Sequence, residues 1–158
     1  MAKWLTSISS NVQKFIEKQK MFFVATAAKD GKVNVSPKGL DTLKVMNKNK
    51  VIWLNIGGSG NETETHIADT NRMTLMFCAF EGEPLIVRLY GTAESIRPKN
   101  EHWESMISFF PNQPRARQIF EMEVIDVQTS CGYGVPFFKF EAQREPLSIP
   151  KEHLKNNL

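Results

Sequence analysis

Apolar residues recur at clear helical spacing in only two stretches of the chain. Elsewhere they alternate with polar ones or run in short β-branched and aromatic blocks. Ile8, Val12, Phe15 and Ile16 share one face, with Gln13, Lys14, Glu17 and Lys18 opposite, which predicts an amphipathic first helix. Trp103, Met106, Ile107 and Phe110 follow the i, i+3, i+4, i+7 rule and predict a second, ended by Pro111 and Pro114. A weaker helical pattern covers residues 62–69. Strands are expected over 22–27, around Val33 and Val35 after an Asp30-Gly31 hairpin turn, and over 51–56, 73–80, 85–93, 119–129 and 137–140. Residues 43–46 read as a short strand or a turn. Gly91 falls inside a strand, where glycine marks a bulge or a barrel kink. Six or seven strands joined mostly by short turns point to a mainly β protein, an antiparallel barrel with peripheral helices.

At 158 residues the chain fits one domain. It divides into an N-terminal helix packed on the barrel (1–20), the barrel itself (21–145) and a polar tail (146–158) expected to be loose. A formal charge of +3 with dispersed lysines and arginines does not form the clustered basic face that nucleic acid calls for. No run approaches 18 apolar residues, and the first eleven residues lack a signal-peptide core, so neither membrane insertion nor export is expected. Cys78 and Cys131 do not build a disulfide framework, which makes a reduced, cytoplasmic protein the default. His102 and His153 have no Cys or carboxylate partners at metal-ligand spacing, so no metal is expected. Trp53 and Trp103 read as core, Arg88 as a sheet or interface ion-pair member, and His66 as a hydrogen-bonded structural histidine.

Two segments carry candidate chemistry. In Val35-Ser36-Pro37-Lys38-Gly39, proline cannot donate to a ladder, so the strand must stop or lie on an edge. A hydroxyl and an ammonium then project together beside a glycine, a grouping suited to a phosphate oxygen. An ordinary solvated strand end with a lysine is the alternative. In the second segment a strand ending at Ile56 meets Gly57-Gly58-Ser59-Gly60 and then a helix start at Asn61-Glu62-Thr63. Free N–H groups and the macrodipole make such a junction an anion site, although glycines alone more often mark a flexible connection than a phosphate cradle. It is neither a Walker loop nor a dinucleotide fingerprint.

In order and spacing, Val35-Ser36-Pro37-Lys38-Gly39, Gly60-Asn61-Glu62-Thr63, the stretch from Val87 to Ala93 and the stretch from Val127 to Pro136 resemble the FMN-binding split β-barrel family. The likeness is to its pyridoxamine 5′-phosphate oxidase-related members, over about residues 22–144. The resemblance implies a homodimer with FMN in clefts between subunits. Ser36 and Lys38 would hold the phosphate, with Val35, Pro37 and Gly39 beside them. Gly60, Asn61, Glu62 and Thr63 would line the phosphate and ribityl side, and Cys131, Gly132 and Tyr133 would approach the ring, from the partner chain. Two departures from true pyridoxamine phosphate oxidases stand out. Residues 22–28 occupy the place of their Arg- and Lys-bearing strand, and their C-terminal Arg-Leu segment is missing. Vitamin B6 oxidation is therefore not expected. The reading is an FMN-dependent oxidoreductase acting between a reduced donor and a small acceptor. Its alternatives are a flavin storage or sensing protein and, from another class, a single-stranded nucleic-acid barrel. No catalytic side chain is assigned, because a flavin brings its own redox chemistry.

Overall fold

A computed structural model describes residues 2–58, 60–111, 113 and 115–144. The tail expected at 146–158, and His153 with it, lies outside the described residues. In chain order the elements are β1 (Lys3–Leu5), α1 (Ser10–Lys18), β2 (Phe22–Ala27), β3 (Val33–Lys38), β4 (Leu43–Asn47), β5 (Lys50–Ile56), α2 (Glu62–Thr70), β6 (Arg72–Cys78), β7 (Ile86–Ile96), α3 (Trp103–Ile107) and β8 (Ala116–Ser130). None of these helices is long and apolar enough to cross a membrane.

The strands form one antiparallel sheet in the order β3-β2-β6-β7-β8-β5-β4, with β1 added to β8. Among the described residues β3 and β4 end the ladder without pairing to each other, so the curled sheet stays split along that seam. Its concave side carries the main core: Val24, Leu75, Val87 and Leu89 are fully buried, and Phe22, Trp53, Phe77 and Phe120 fill the centre. Trp53 stacks on Phe120 at 5.0 Å and meets Phe22 edge-on at 6.4 Å, both favourable ring geometries. Helix α1 buries Val12 and Ile16 against this core, as its periodicity predicts. Helix α2 contributes Ile67 to the same core, and a smaller cluster lies under α3.

Pro37 sits inside β3, and β3 is an edge strand, the one place a residue without an N–H is tolerated. The register of β7 on β8 shifts between Tyr90 and Gly91, so Gly91 is the bulge its sequence position suggests. Strand 43–46 is present as β4. Three expectations need correction. Residues 137–140 form no strand; Phe138 N–H donates to Phe80 O (3.0 Å) and Phe140 N–H to the Glu81 carboxylate (3.2 Å), two isolated bonds rather than a ladder. The second helix is a five-residue turn, although Phe110 beyond it is still buried. Within the sheet Arg88 makes no ion pair among the described residues, which corrects that half of its expected role; it donates to Ser130 Oγ (3.3 Å) and Gln128 Oε1 (3.5 Å). Strand β1 was not anticipated.

Candidate functional site

Strand alternation gives β3 two different faces. Val33, Val35 and Pro37 point out and are exposed, while Asn34, Ser36 and Lys38 point in and are half-buried. Opposite residues of an antiparallel pair share a face, so this inner strip stands beside Thr26, Val24 and Phe22 of β2. Asn34 Nδ2 donates to Thr63 Oγ1 (3.2 Å) and to Thr26 Oγ1 (3.4 Å), which ties the edge strand to the first turn of α2. Thr26 Oγ1 in turn meets His66 Nδ1 at 3.0 Å. His66 is thus the hydrogen-bonded helical histidine expected from sequence.

Between these contacts two polar groups lack one. Ser36 Oγ is sealed from solvent, yet it has no hydrogen-bond partner among the described residues. A buried, unsatisfied oxygen of this kind costs roughly 1–3 kcal/mol. Lys38 extends its ammonium to 5.4 Å from the Trp53 ring centroid, within cation–π range. Among the described residues no carboxylate is within ion-pair distance of it. Burial pushes the Lys38 pKa below the usual lysine value, and the Glu62 carboxylate offsets this only in part. An anionic oxygen would satisfy both side chains at once.

The junction after β5 faces the same strip. Ser9 caps α1 by accepting the Val12 N–H at 3.3 Å, whereas Asn61, at the equivalent place before α2, makes no side-chain cap. Its Oδ1 instead accepts from Gln118 Nε2 at 3.1 Å. The first turn of α2 therefore keeps uncapped N–H groups, the arrangement that receives anions. Strand β8 holds the preceding loop from behind: Arg117 donates to Gly58 O (2.9 Å) and Gly60 O (3.0 Å), and Arg115 to Gly57 O (3.0 Å). Glu64 accepts from Ser95 Oγ (2.6 Å), Gln118 Nε2 (3.0 Å) and the Arg97 guanidinium, fixing the helix start from its other side.

Ser36, Lys38, Glu62 and Thr63 are thus brought together, with Gly60 and Asn61 next to them. Gly39 turns the chain away; a side chain there would press on Lys20 O at 3.1 Å. Cys131, Gly132 and Tyr133 follow β8, which stands four places from β3 in the sheet order. Cys131 is exposed and Tyr133 is 85% exposed. Gly132 does permit a close approach, but to its own chain: a Cβ there would lie 2.7 Å from Leu85 N. Sequence reasoning missed Asn34, Trp53, Arg117 and Gln118. Arg115, Arg117 and Gln118, clustered just before the apolar Ile119-Phe120 pair, were the available signal.

A groove of about 1290 Å³ adjoins the Lys38–Gly39 end of β3. Phe15, Phe23, Phe80, Phe138 and Phe140 line it, with Lys20 reaching over the Phe140 ring at 5.7 Å. It is roomy and aromatic, as small-molecule sites generally are.

A split antiparallel barrel with a polar cradle at its open seam defines a fold class, and sequence comparison gives the family. The pyridoxamine 5′-phosphate oxidase family profile matches residues 8–131, and the chain belongs to that family. It is 33% identical over 144 residues to the pyridoxamine 5′-phosphate oxidase family protein ustO of Aspergillus flavus. That alignment takes in 88% of this chain but only 58% of the length of ustO. Among solved structures, a point variant of HupZ from Group A Streptococcus superposes with a TM-score of 0.66 at 19% identity, over 78% of this chain and 99% of that one. An FMN-binding protein of Syntrophomonas wolfei superposes with a TM-score of 0.56 at 11% identity, over 73% and 80%. The fold also occurs in an FAD-binding protein of Mycobacterium smegmatis (TM-score 0.56, 14% identity, 80% and 97% covered) and in HutZ, the heme storage protein of Vibrio cholerae (0.53, 15%, 74% and 89%).

Proposed function

We propose that this protein binds FMN and works as an FMN-dependent oxidoreductase, with two chains forming a dimer that encloses the flavin. The observation that carries this reading is the pairing of Ser36 and Lys38. One is a buried hydroxyl without a partner, the other an ammonium burdened by burial, and both line the strip that faces the uncapped start of α2. A phosphate dianion relieves both costs and meets the helix amides, which riboflavin cannot do. Asn34, already bonded to Thr63, keeps β3 at the right distance for this cradle. Gly60, Asn61, Glu62 and Thr63 flank the ribityl chain, where the Glu62 carboxylate accepts from hydroxyls.

When bound, FMN supplies hydride and electron transfer; the protein supplies position and an enclosed site. The aromatic groove beside Lys38 and Gly39 is the natural place for the small substrate, since it opens on the same strand end. The reaction assigned is one other than vitamin B6 oxidation, because residues 22–28 depart from the Arg- and Lys-bearing strand of the true oxidases. Cys131, Gly132 and Tyr133 are assigned to the ring side of the flavin, contributed by the partner chain of the proposed dimer.

The test is the spectrum of the freshly purified protein, followed by titration with FMN and riboflavin. Flavin absorbance, FMN preferred at least tenfold over riboflavin, and reduction of the bound flavin by NAD(P)H are expected. A Soret band in place of flavin absorbance would overturn the cofactor, and a bound flavin that no reductant touches would leave a storage or sensing protein.

A further inference from the structure

Strand β8 opens with an irregularity that changes which way its side chains face. Asn55 pairs with Gln118, but Ile56 pairs with Ala116, so Arg117 is the extra residue of a bulge. In a regular strand Arg117 and Gln118 would point to opposite sides of the sheet. Here both reach the same junction: Arg117 the carbonyls of Gly58 and Gly60, Gln118 the side chains of Asn61 and Glu64. Arg115 holds the remaining glycine carbonyl, Gly57 O, and its own carbonyl accepts the Gly57 N–H at 2.7 Å. Bulges that re-aim a side chain beside a functional site are a recurrent device.

The consequence for the loop is geometric. A trans peptide holds its C=O and the following N–H on opposite sides. Fixing Gly57 O and Gly60 O on β8 therefore turns the N–H groups of Gly58 and Asn61 away from it. Two residues beyond Asn61, Thr63 is bonded to Asn34 of β3, the strand that carries Ser36 and Lys38. Gln118 reinforces the effect by occupying the Asn61 side chain, which would otherwise cap α2 and consume an amide. The guanidinium of Arg117 also places a positive charge against the loop carbonyls.

We propose that Arg117, aimed by the β8 bulge and seconded by Gln118, is a positioning residue that sets the glycine loop to receive a phosphate and so determines the preference for the phosphorylated flavin. This rests on the flavin reading above. The test uses the full-length protein and its Arg117→Gln and Arg117→Lys variants, each checked for an unchanged circular dichroism spectrum. FMN and riboflavin affinities are measured by fluorescence quenching at two salt concentrations, and amide exchange of the loop is followed without ligand. In Arg117→Gln, FMN affinity should fall at least tenfold while riboflavin stays within twofold, and the Gly58 and Asn61 amides should exchange faster. Arg117→Lys, which keeps the charge but not the fork, should lose about threefold for FMN alone, a smaller loss that salt leaves unchanged, whereas the Arg117→Gln loss should shrink at high salt. Equal weakening for both flavins, or an unchanged FMN-to-riboflavin ratio, overturns the proposal and leaves Arg117 a merely structural tie. A wild-type ratio near one refutes the phosphate reading itself, and this inference with it. If Arg117→Gln does not fold, the ratio in Arg117→Lys decides alone.

Discussion

Ser36 and Lys38 carry the argument at the scale of single residues, and each predicts an opposite effect on stability and on binding. Ser36→Ala removes an oxygen that no group satisfies. The ligand-free protein should melt at the same temperature or higher, while FMN binds roughly ten- to a hundredfold more weakly, the worth of one hydrogen bond to a charged group. Lys38→Met removes a charge-assisted contact, and FMN affinity should drop roughly ten- to a hundredfold. Its pH signature follows from the sign of the lysine's shift. The folded pKa lies below the ordinary 10.5, so the folded chain holds this proton less tightly than the unfolded chain does. The resulting penalty is complete below the folded pKa and vanishes as pH rises through it toward 10.5. Any stability advantage of Lys38→Met over ligand-free wild type should therefore shrink as the pH of thermal melts is raised through that window. A constant gap would mean that burial is not what perturbs the lysine. The pairing of hydroxyl and ammonium was legible in sequence because strand alternation fixes it. That Trp53 would lie under the ammonium was not, because that contact depends on how the sheet curls.

Elements were readable where a local rule decides and opaque where a distant partner does. Pro37 had to lie on an edge and Gly91 had to relieve crowding, and both do. Strand β1 has only three residues, and it exists because β8 extends beyond β5 and offers a free edge at Val127–Thr129. No periodicity in Lys3-Trp4-Leu5 could announce that. Residues 137–140 fail in reverse: their aromatic content suits a strand, but among the described residues they form no ladder, only the isolated bonds to Phe80 and Glu81. The bulge at Arg117 is invisible for the same reason, since register is a property of two strands. Gly91 supplies the test at this scale. A Cβ at Gly91 would overlap the carbonyl oxygen of Glu123, which is backbone and cannot swing aside. Gly91→Ala should destabilise by about 1–3 kcal/mol, seen as a lower urea midpoint with an unchanged slope. Gly134, with nothing within 4 Å of such a Cβ, is the matched control and should tolerate alanine. Equal midpoints for the two variants would show that the β7–β8 crossing yields to a methyl group.

For the whole molecule the outward face of the sheet poses the open question of assembly. Val33 and Val35 on the edge strand are 71% and 62% exposed, and Ile125 and Trp4 are 55% and 60% exposed. Val33, Ala25, Ala27, Tyr90 and Ile125 share the lining of a shallow hollow of about 460 Å³ on that face. An edge strand bearing exposed β-branched residues invites uncontrolled pairing unless something covers it. In the dimer proposed above a second copy of the chain would cover it, and would bring its own Cys131–Tyr133 turn to the site. Light scattering at micromolar concentration should then give about twice the chain mass of 18.0 kDa. Replacing both Val33 and Val35 with Glu places two like charges on the shared face of each subunit, which a symmetric contact sets against their copies. The double variant should sediment as a monomer, keep its β-sheet circular dichroism, and lose most FMN affinity although Ser36 and Lys38 are untouched. A variant that stays dimeric would remove this face from the interface. A wild-type monomer that holds FMN would overturn the shared cleft itself, and the β3 strip and α2 of one chain would then have to bind the flavin unaided.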